Sequence, residues 1–220
     1  MVLNGNIKLV IFDLDGTLID SKYDLTDAVN FVRHEYGFNP LPVDEVASYL
    51  GSGITALVKA VLTELKDDEF DKAVKMFKDN YAKHLTDKTL PYKDIIEMLS
   101  TIPQPKVLLS NKDEKFSKQI LDTLGLSKYF TKIYGGDSFK EKKPNPLPIY
   151  EIMKKFSLNK EDVVMVGDGA NDVMVGKNAG ITTIGVLYGY SSQEKLNDLA
   201  PNYQAKNPKE IISIIKTINN

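Results

Sequence analysis

The stretch "KLVIFDLDGTLID" occupies residues 8–20. Its first half, Leu9 to Phe12, is an unbroken apolar run. Its second half sets Asp13 and Asp15 one residue apart, followed by Gly16 and Thr17. A short apolar run ending in turn-forming residues predicts a strand buried on both faces, as in a parallel sheet. Two carboxylates at the end of such a strand would repel each other and resist burial unless they serve a purpose there.

Four further runs have the same character: "KVLLSN" (106–111), "KIYGGD" (132–137), "DVVMVGD" (162–168) and "ITTIGV" (181–186). Helix-period segments lie between them. Phe116, Ile120, Leu121 and Leu124 share one stripe, ended by Gly125. Ile149, Ile152, Met153 and Phe156 share another, and "ANDVMVGKNAG" is a short third. Alternating strands and helices predict an α/β, doubly wound parallel sheet, Rossmann-like, with helices on both faces. One region breaks the alternation. From Leu18 to about Leu85 the pattern is only helical, with Ala28, Val29, Val32 and Tyr36 forming a stripe before Asn39, Pro40 and Pro42 interrupt it. The expected organisation is therefore a catalytic core from residues 1–17 and 89–220, with an all-helical cap, 18–88, inserted after the first strand. "YKDIIEMLSTI" is expected to be the first core helix.

Composition narrows the function. The 220 residues are 42% hydrophobic and 26% charged, ordinary for a soluble globular chain, and the net charge of −2 gives no basic field for nucleic acid. The absence of cysteine excludes thiol nucleophiles, thiolate metal sites and disulfides, and it fits a reducing cytosol, so a cytoplasmic location is expected. The N-terminus lacks the basic-then-apolar pattern of a signal peptide, and no apolar run is long enough for a bilayer, so no membrane partner is expected. A monomer and a homodimer both fit the composition.

Ligands of open parallel sheets bind beyond the carboxyl ends of the strands. Asp13, Asp15, Ser110, Asn111, Asp137 and Asp168 are all expected there. Several carboxylates at one edge call for a hard divalent cation, and Mg2+ takes oxygen ligands from a few carboxylates plus a substrate phosphate. Asp13 and Asp168, on neighbouring strands, are its natural ligands. Asp172, four residues after Asp168, can bind directly, act through water, or hold the others in place. Asp13 and Asp15 can flank one reacting centre, one attacking phosphorus and the other handling a proton. Gly16 lets backbone approach the ligand, and Thr17 offers a hydroxyl or a cap. Ser110 and Asn111 supply donors for phosphoryl oxygens. Lys143, in a loop stiffened by Pro144, Pro146 and Pro148, can neutralise both phosphate and nucleophile. In the cap, backbone amides after Gly51, Ser52 and Gly53 can reach an anionic end of the substrate. Taken singly, each of these signals has a plain structural reading: Asp-Gly turns, helix caps, solvated lysines. Their placement at successive strand ends makes the joint functional reading the stronger one.

The chain resembles the haloacid dehalogenase superfamily of hydrolases. The resemblance is carried by four motifs in order: "DLDGTLID", Ser110 after "VLL", Lys143 in "KKPNP", and "GDGAND" at 167–172. It implies Asp13 as nucleophile, Asp15 as general acid/base, and Ser110 and Lys143 as phosphoryl-binding residues. It also implies Mg2+ held by Asp13, the Asp15 backbone carbonyl and Asp168, with Asp172 supporting. "GSGITALV" and "GVLYGY" are similar to segments of the phosphoglycolate phosphatases. The implied activity is a Mg-dependent phosphatase acting on a small phosphorylated metabolite through an aspartyl-phosphate. Pyrophosphate, nucleotides and sugar phosphates are alternative substrates, and a β-phosphoglucomutase-like transferase shares the same core. A receiver-like signalling domain is the rival from another class, and an inert binding protein a third. Specificity is expected from Gly51, Ser52, Gly53 and Arg33.

Overall fold

The computed structural model describes residues 6–220. The first five residues of the expected 1–17 segment, on which the signal-peptide reading also rests, lie outside the described residues. In chain order the elements begin with β1 (Leu9–Phe12), β2 (Ile19–Asp20), α1 (Lys22–Glu35), α2 (Val43–Ser48), α3 (Ile54–Val61), α4 (Phe70–Tyr81) and β3 (Leu90–Pro91). Strand and helix then alternate through α5 (Ile95–Thr101), β4 (Lys106–Leu109), α6 (Glu114–Thr123), β5 (Lys132–Tyr134), α7 (Leu147–Phe156) and β6 (Val163–Gly167). The chain ends with α8 (Ala170–Ala179), β7 (Thr182–Val186), α9 (Gln193–Leu199), β8 (Tyr203–Ala205) and α10 (Pro208–Ile218).

The main sheet has the order β5-β4-β1-β6-β7-β8, and every neighbouring pair is parallel. All four residues of β1 are buried, as an apolar strand covered on both faces requires. The two-residue period of the strand sorts them between the two faces. Val10 and Phe12 join the apolar cluster under α5, α6 and α10, through residues such as Ile95, Met98, Ile120, Leu121, Ile211 and Ile215. Leu9 and Ile11 join the opposite cluster, under α7 and α8, with Ile149, Ile152 and Val175. The chain proceeds from β1 to β4 and β5 on one side, then to β6, β7 and β8 on the other. The carboxyl end of β1 therefore opens onto the crevice where strand order reverses, the usual ligand position of such sheets. That is where Asp13 and Asp15 stand.

The helices α1–α4 pack as a unit over this crevice. Leu25, Ala28, Val29 and Val32 of α1 meet Leu57, Val58 and Val61 of α3 and Ala73, Phe77 and Tyr81 of α4 in one apolar cluster. The "GSG" loop separates α2 from α3. The chain enters and leaves the unit through one antiparallel pair, with Ile19 opposite Pro91 and Asp20 opposite Leu90. This two-residue ribbon carries no periodic signal. β8 also lies outside the five expected strands, because "YQA" holds no β-branched residue and no apolar run to mark it. Among the described residues no helix is long and apolar enough to cross a membrane.

Asp24 fastens the neck of the helical unit. It is 1% exposed and accepts from the backbone N–H of Lys88 (3.0 Å), the N–H of Thr89 (2.8 Å) and the Thr89 hydroxyl (2.6 Å). Replacing it with Ala leaves the buried Thr89 N–H and hydroxyl, and the Lys88 N–H beside them, without their acceptor. The expected loss is about 2–4 kcal/mol of stability, read as a lower urea midpoint with an unchanged slope.

Candidate active site

Asp13 is the first residue beyond β1. Its N–H donates to Val166 O (2.9 Å), which continues the sheet ladder and aims the side chain into the crevice. The side chain is 6% exposed, and Lys143 Nζ donates to its Oδ1 at 2.7 Å. Lys143 is itself 3% exposed and donates to Asp172 Oδ1 at 2.6 Å. Asp172 sits in the first turn of α8, where Gly169 N–H donates to its other oxygen at 3.0 Å. Asp168 follows β6, the strand beside β1. It accepts from the Tyr190 N–H (2.8 Å) and the Thr17 hydroxyl (3.3 Å).

Asp13, Asp168 and Asp172 are all buried, and one oxygen from each lies within 4.8 Å of the others. One ammonium, Lys143, faces these three carboxylates, so three negative charges against one positive leave a surplus of two. The titration reflects that surplus. Burial, then the neighbouring Asp172, pushes Asp13 from 3.8 to about 7 against the pull of Lys143. Burial, then Asp172 and Asp13, pushes Asp168 to about 8. Burial works against the charge of Lys143, but its two carboxylates outweigh burial and raise its pKa. An all-oxygen set with two unmatched negative charges fits a hard divalent cation. Gly16 keeps the cluster compact. Its φ is +82°, and a Cβ there would lie 2.4 Å from Asp168 Oδ2, so both backbone and space exclude a side chain.

Asp15 points away from that cluster. Its Oδ1 accepts from the Ser21 hydroxyl (2.5 Å) and pairs with Lys112 Nζ (3.2 Å). Ser110 extends β4 through its N–H on Tyr134 O (3.0 Å), and its hydroxyl accepts from Lys112 N–H (3.2 Å). The amide of Asn111 donates to the carbonyls of Lys143 (3.0 Å) and Gly51 (2.9 Å). A cleft between sheet edge and helical unit is lined by Asp13, Asp15, Ser110, Asn111 and Lys112 on one side, and by Leu25, Leu50, Gly51, Gly53, Ile54 and Leu57 on the other.

Most of the residues singled out in the sequence are thus brought together. Ser52 is gripped through its hydroxyl by Asn171 (3.2 Å) and through its carbonyl by Lys142 (2.7 Å). Gly53, at φ +88°, presses so closely on Asn111 O that a Cβ would lie 2.8 Å away. One expectation needs correction. Arg33 does not face the cleft. It is 6% exposed inside the helical unit, where it donates to Asn39 O (2.6 Å), Val61 O and Glu64 (3.3 Å), because a guanidinium buried between helices must find carbonyls. Asp137 follows β5 but stays exposed and accepts from the first N–H of α6, that of Glu114 (2.7 Å), a capping role. Sequence reasoning also passed over Lys112, Ser21, Tyr190 and Asn171. The signals available were weak: Lys112 directly follows Ser110 and Asn111, and Asn171 lies inside "GDGAND".

The haloacid dehalogenase-like hydrolase family matches residues 10–186. The chain is 37% identical over 206 residues to a phosphoglycolate phosphatase of Chromobacterium violaceum, covering 90% of this chain and 93% of that protein. It is 36% identical over 212 residues to one from Aquifex aeolicus, covering 95% and 97%. Among solved structures, a predicted phosphoglycolate phosphatase from Haemophilus somnus superposes with a TM-score of 0.91 at 27% identity, covering 95% of this chain and 98% of that one. The fold and these matches define a phosphatase-type hydrolase. The chain belongs to the haloacid dehalogenase-like hydrolase family.

The raised acids have a consequence for stability. Between 3.8, the ordinary value, and about 7 to 8, the folded protein retains protons that the unfolded chain has released. Stability without metal therefore falls as pH rises through that window. In EDTA, Tm is expected to drop by ~5 °C or more from pH 5.5 to 8.5, a slope that Asp168→Asn flattens. Added Mg2+ should raise Tm more at pH 8.5 than at 5.5. Thermal scans across pH check all three.

Proposed function

We propose that this enzyme is a Mg2+-dependent phosphomonoesterase that works through an aspartyl-phosphate on Asp13 and acts on 2-phosphoglycolate. One observation carries the reading: Asp13 leaves the central strand between Lys143 and a second carboxylate, Asp15, in a cleft shared with Ser110. A nucleophile, a neutralising cation, phosphoryl donors and a separate acid are the parts that phosphoryl transfer needs.

In this reading a carboxylate oxygen of Asp13 attacks phosphorus while the bond to the ester oxygen breaks. Asp15 gives its proton to the leaving alkoxide. Asp15 then takes a proton from water, which attacks the same phosphorus, breaks its bond to Asp13 and frees inorganic phosphate. Lys143 and the Ser110 hydroxyl hold the transferring oxygens. A cation bound by Asp13, Asp168 and Asp172 would supply charge for the phosphoryl group and for the acids themselves. The covering helices exclude bulk water from the ester. The substrate is supported by the names of the relatives and by a cleft that the "GSG" loop closes down to a small space. Beyond these family matches, the separate Asp15 and the covering helices disfavour the receiver-like reading, since they suit turnover rather than a lasting phosphoryl group.

Phosphate release tests this, with and without Mg2+, on 2-phosphoglycolate, pyrophosphate, nucleotides and hexose phosphates. The expected result is Mg2+-dependent turnover, highest on 2-phosphoglycolate. EDTA should abolish it, and Asp13→Asn should lower kcat by at least about 10⁴-fold. Undiminished turnover by that variant ends the nucleophile assignment.

A further inference from the structure

Lys112 is the only cationic side chain among the residues lining the cleft. It is 5% exposed, an unusual setting for a lysine. Its ammonium donates to Tyr81 Oη on α4 at 2.8 Å and lies 3.2 Å from Asp15 Oδ1. An ammonium has three hydrogens, and these two contacts take two of them. The ammonium also lies 4.6 Å from the centre of the Tyr81 ring, but it meets no third oxygen among the described residues. The facing wall, Leu25, Leu50, Ile54 and Leu57, presents no polar side chain that could take it.

We propose that Lys112 is the specificity-determining residue for the leaving group, and that its ammonium receives a second anion, a carboxylate, at the far end of the substrate. The inference rests on the proposed phosphatase reading and deepens it. Lys112 touches Asp15, the residue assigned to the leaving oxygen, and its own N–H lies on the Ser110 hydroxyl at 3.2 Å. Its charge therefore stands beside the ester oxygen, a short step from the phosphoryl site. That position suits an anion one or two carbons beyond the ester oxygen and leaves a longer leaving group misplaced. Apolar walls strengthen such an ion pair by excluding water, and they offer nothing polar to a neutral end group. The start of α3, at Gly53 and Ile54, lines the same space and adds its partial positive charge. A lysine serving only to tie α4 to the sheet through Tyr81 would not discriminate between leaving groups.

The test measures kcat and KM of the full chain with Mg2+ on 2-phosphoglycolate and on 2-hydroxyethyl phosphate, which replaces the carboxylate with an uncharged end of similar size. The wild type is expected to favour 2-phosphoglycolate by ~30-fold or more in kcat/KM. In Lys112→Met that preference should collapse, chiefly through KM, whatever happens to the rate on both compounds. Lys112→Arg should keep part of it. Equal use of the two compounds by the wild type overturns the anion site while leaving the phosphatase reading intact, and it needs no variant to fold. An unchanged preference in Lys112→Met overturns the site as well. Release of phosphate from neither compound by the wild type overturns this inference and the proposed substrate together, while release from other esters in the panel would retain the phosphatase reading.

Discussion

The Lys143 ammonium, 2.7 Å from Asp13 and 2.6 Å from Asp172, is the contact on which the rest of the site depends. Three buried carboxylates cannot share one sheet edge as bare charges. One fixed cation reduces their repulsion enough for the fold to hold them together, yet leaves two charges unmatched. That surplus of negative charge suits a hard divalent cation.

The same reasoning links the position of Lys143 to the covering helices. Its loop is held from the core by Asn111, whose amide also grips the Gly51 carbonyl. Asn171, one residue before Asp172, grips that carbonyl too, at 2.9 Å. The asparagines beside Ser110 and Asp172 therefore also hold the "GSG" loop down. At the neck, Ser21 joins Asp15 to the ribbon, and the Tyr190 hydroxyl accepts from Ser21 N–H at 2.7 Å while its backbone holds Asp168. The same side chains thus tie the neck of the helical unit to both Asp15 and Asp168.

The two acids of the opening motif come to serve different surroundings through ordinary backbone geometry. Asp13 continues the ladder of β1 and enters the buried cluster with Lys143. Asp15, two residues on, faces Ser21 and Lys112 at the cleft instead. Proximity in sequence put them at one strand end, and their different partners set their environments apart.

Much of this was legible in the chain. Buried parallel strands need continuous apolar runs, so β1, β4, β6 and β7 announced themselves, and the acids after β1 and β6 marked the sheet edge at which such folds bind ligands. Their pattern carries its own physics, since burial on both faces is a local demand on consecutive residues. The partners of buried charge were not legible. Lys112 and Arg33 look alike in sequence, each a cation in a helical or polar stretch, yet one lines the cleft and the other is spent on Asn39 and Val61 carbonyls. Asp137 and Asp168 both follow strands, but only Asp168 lies beside the switch point at β1. The amino-acid sequence by itself determined five of the six main-sheet strands, the acidic edge and the family. Only the tertiary structure decided which charges meet, because the stability of a buried ion depends on groups far along the chain that folding alone brings within a few ångströms.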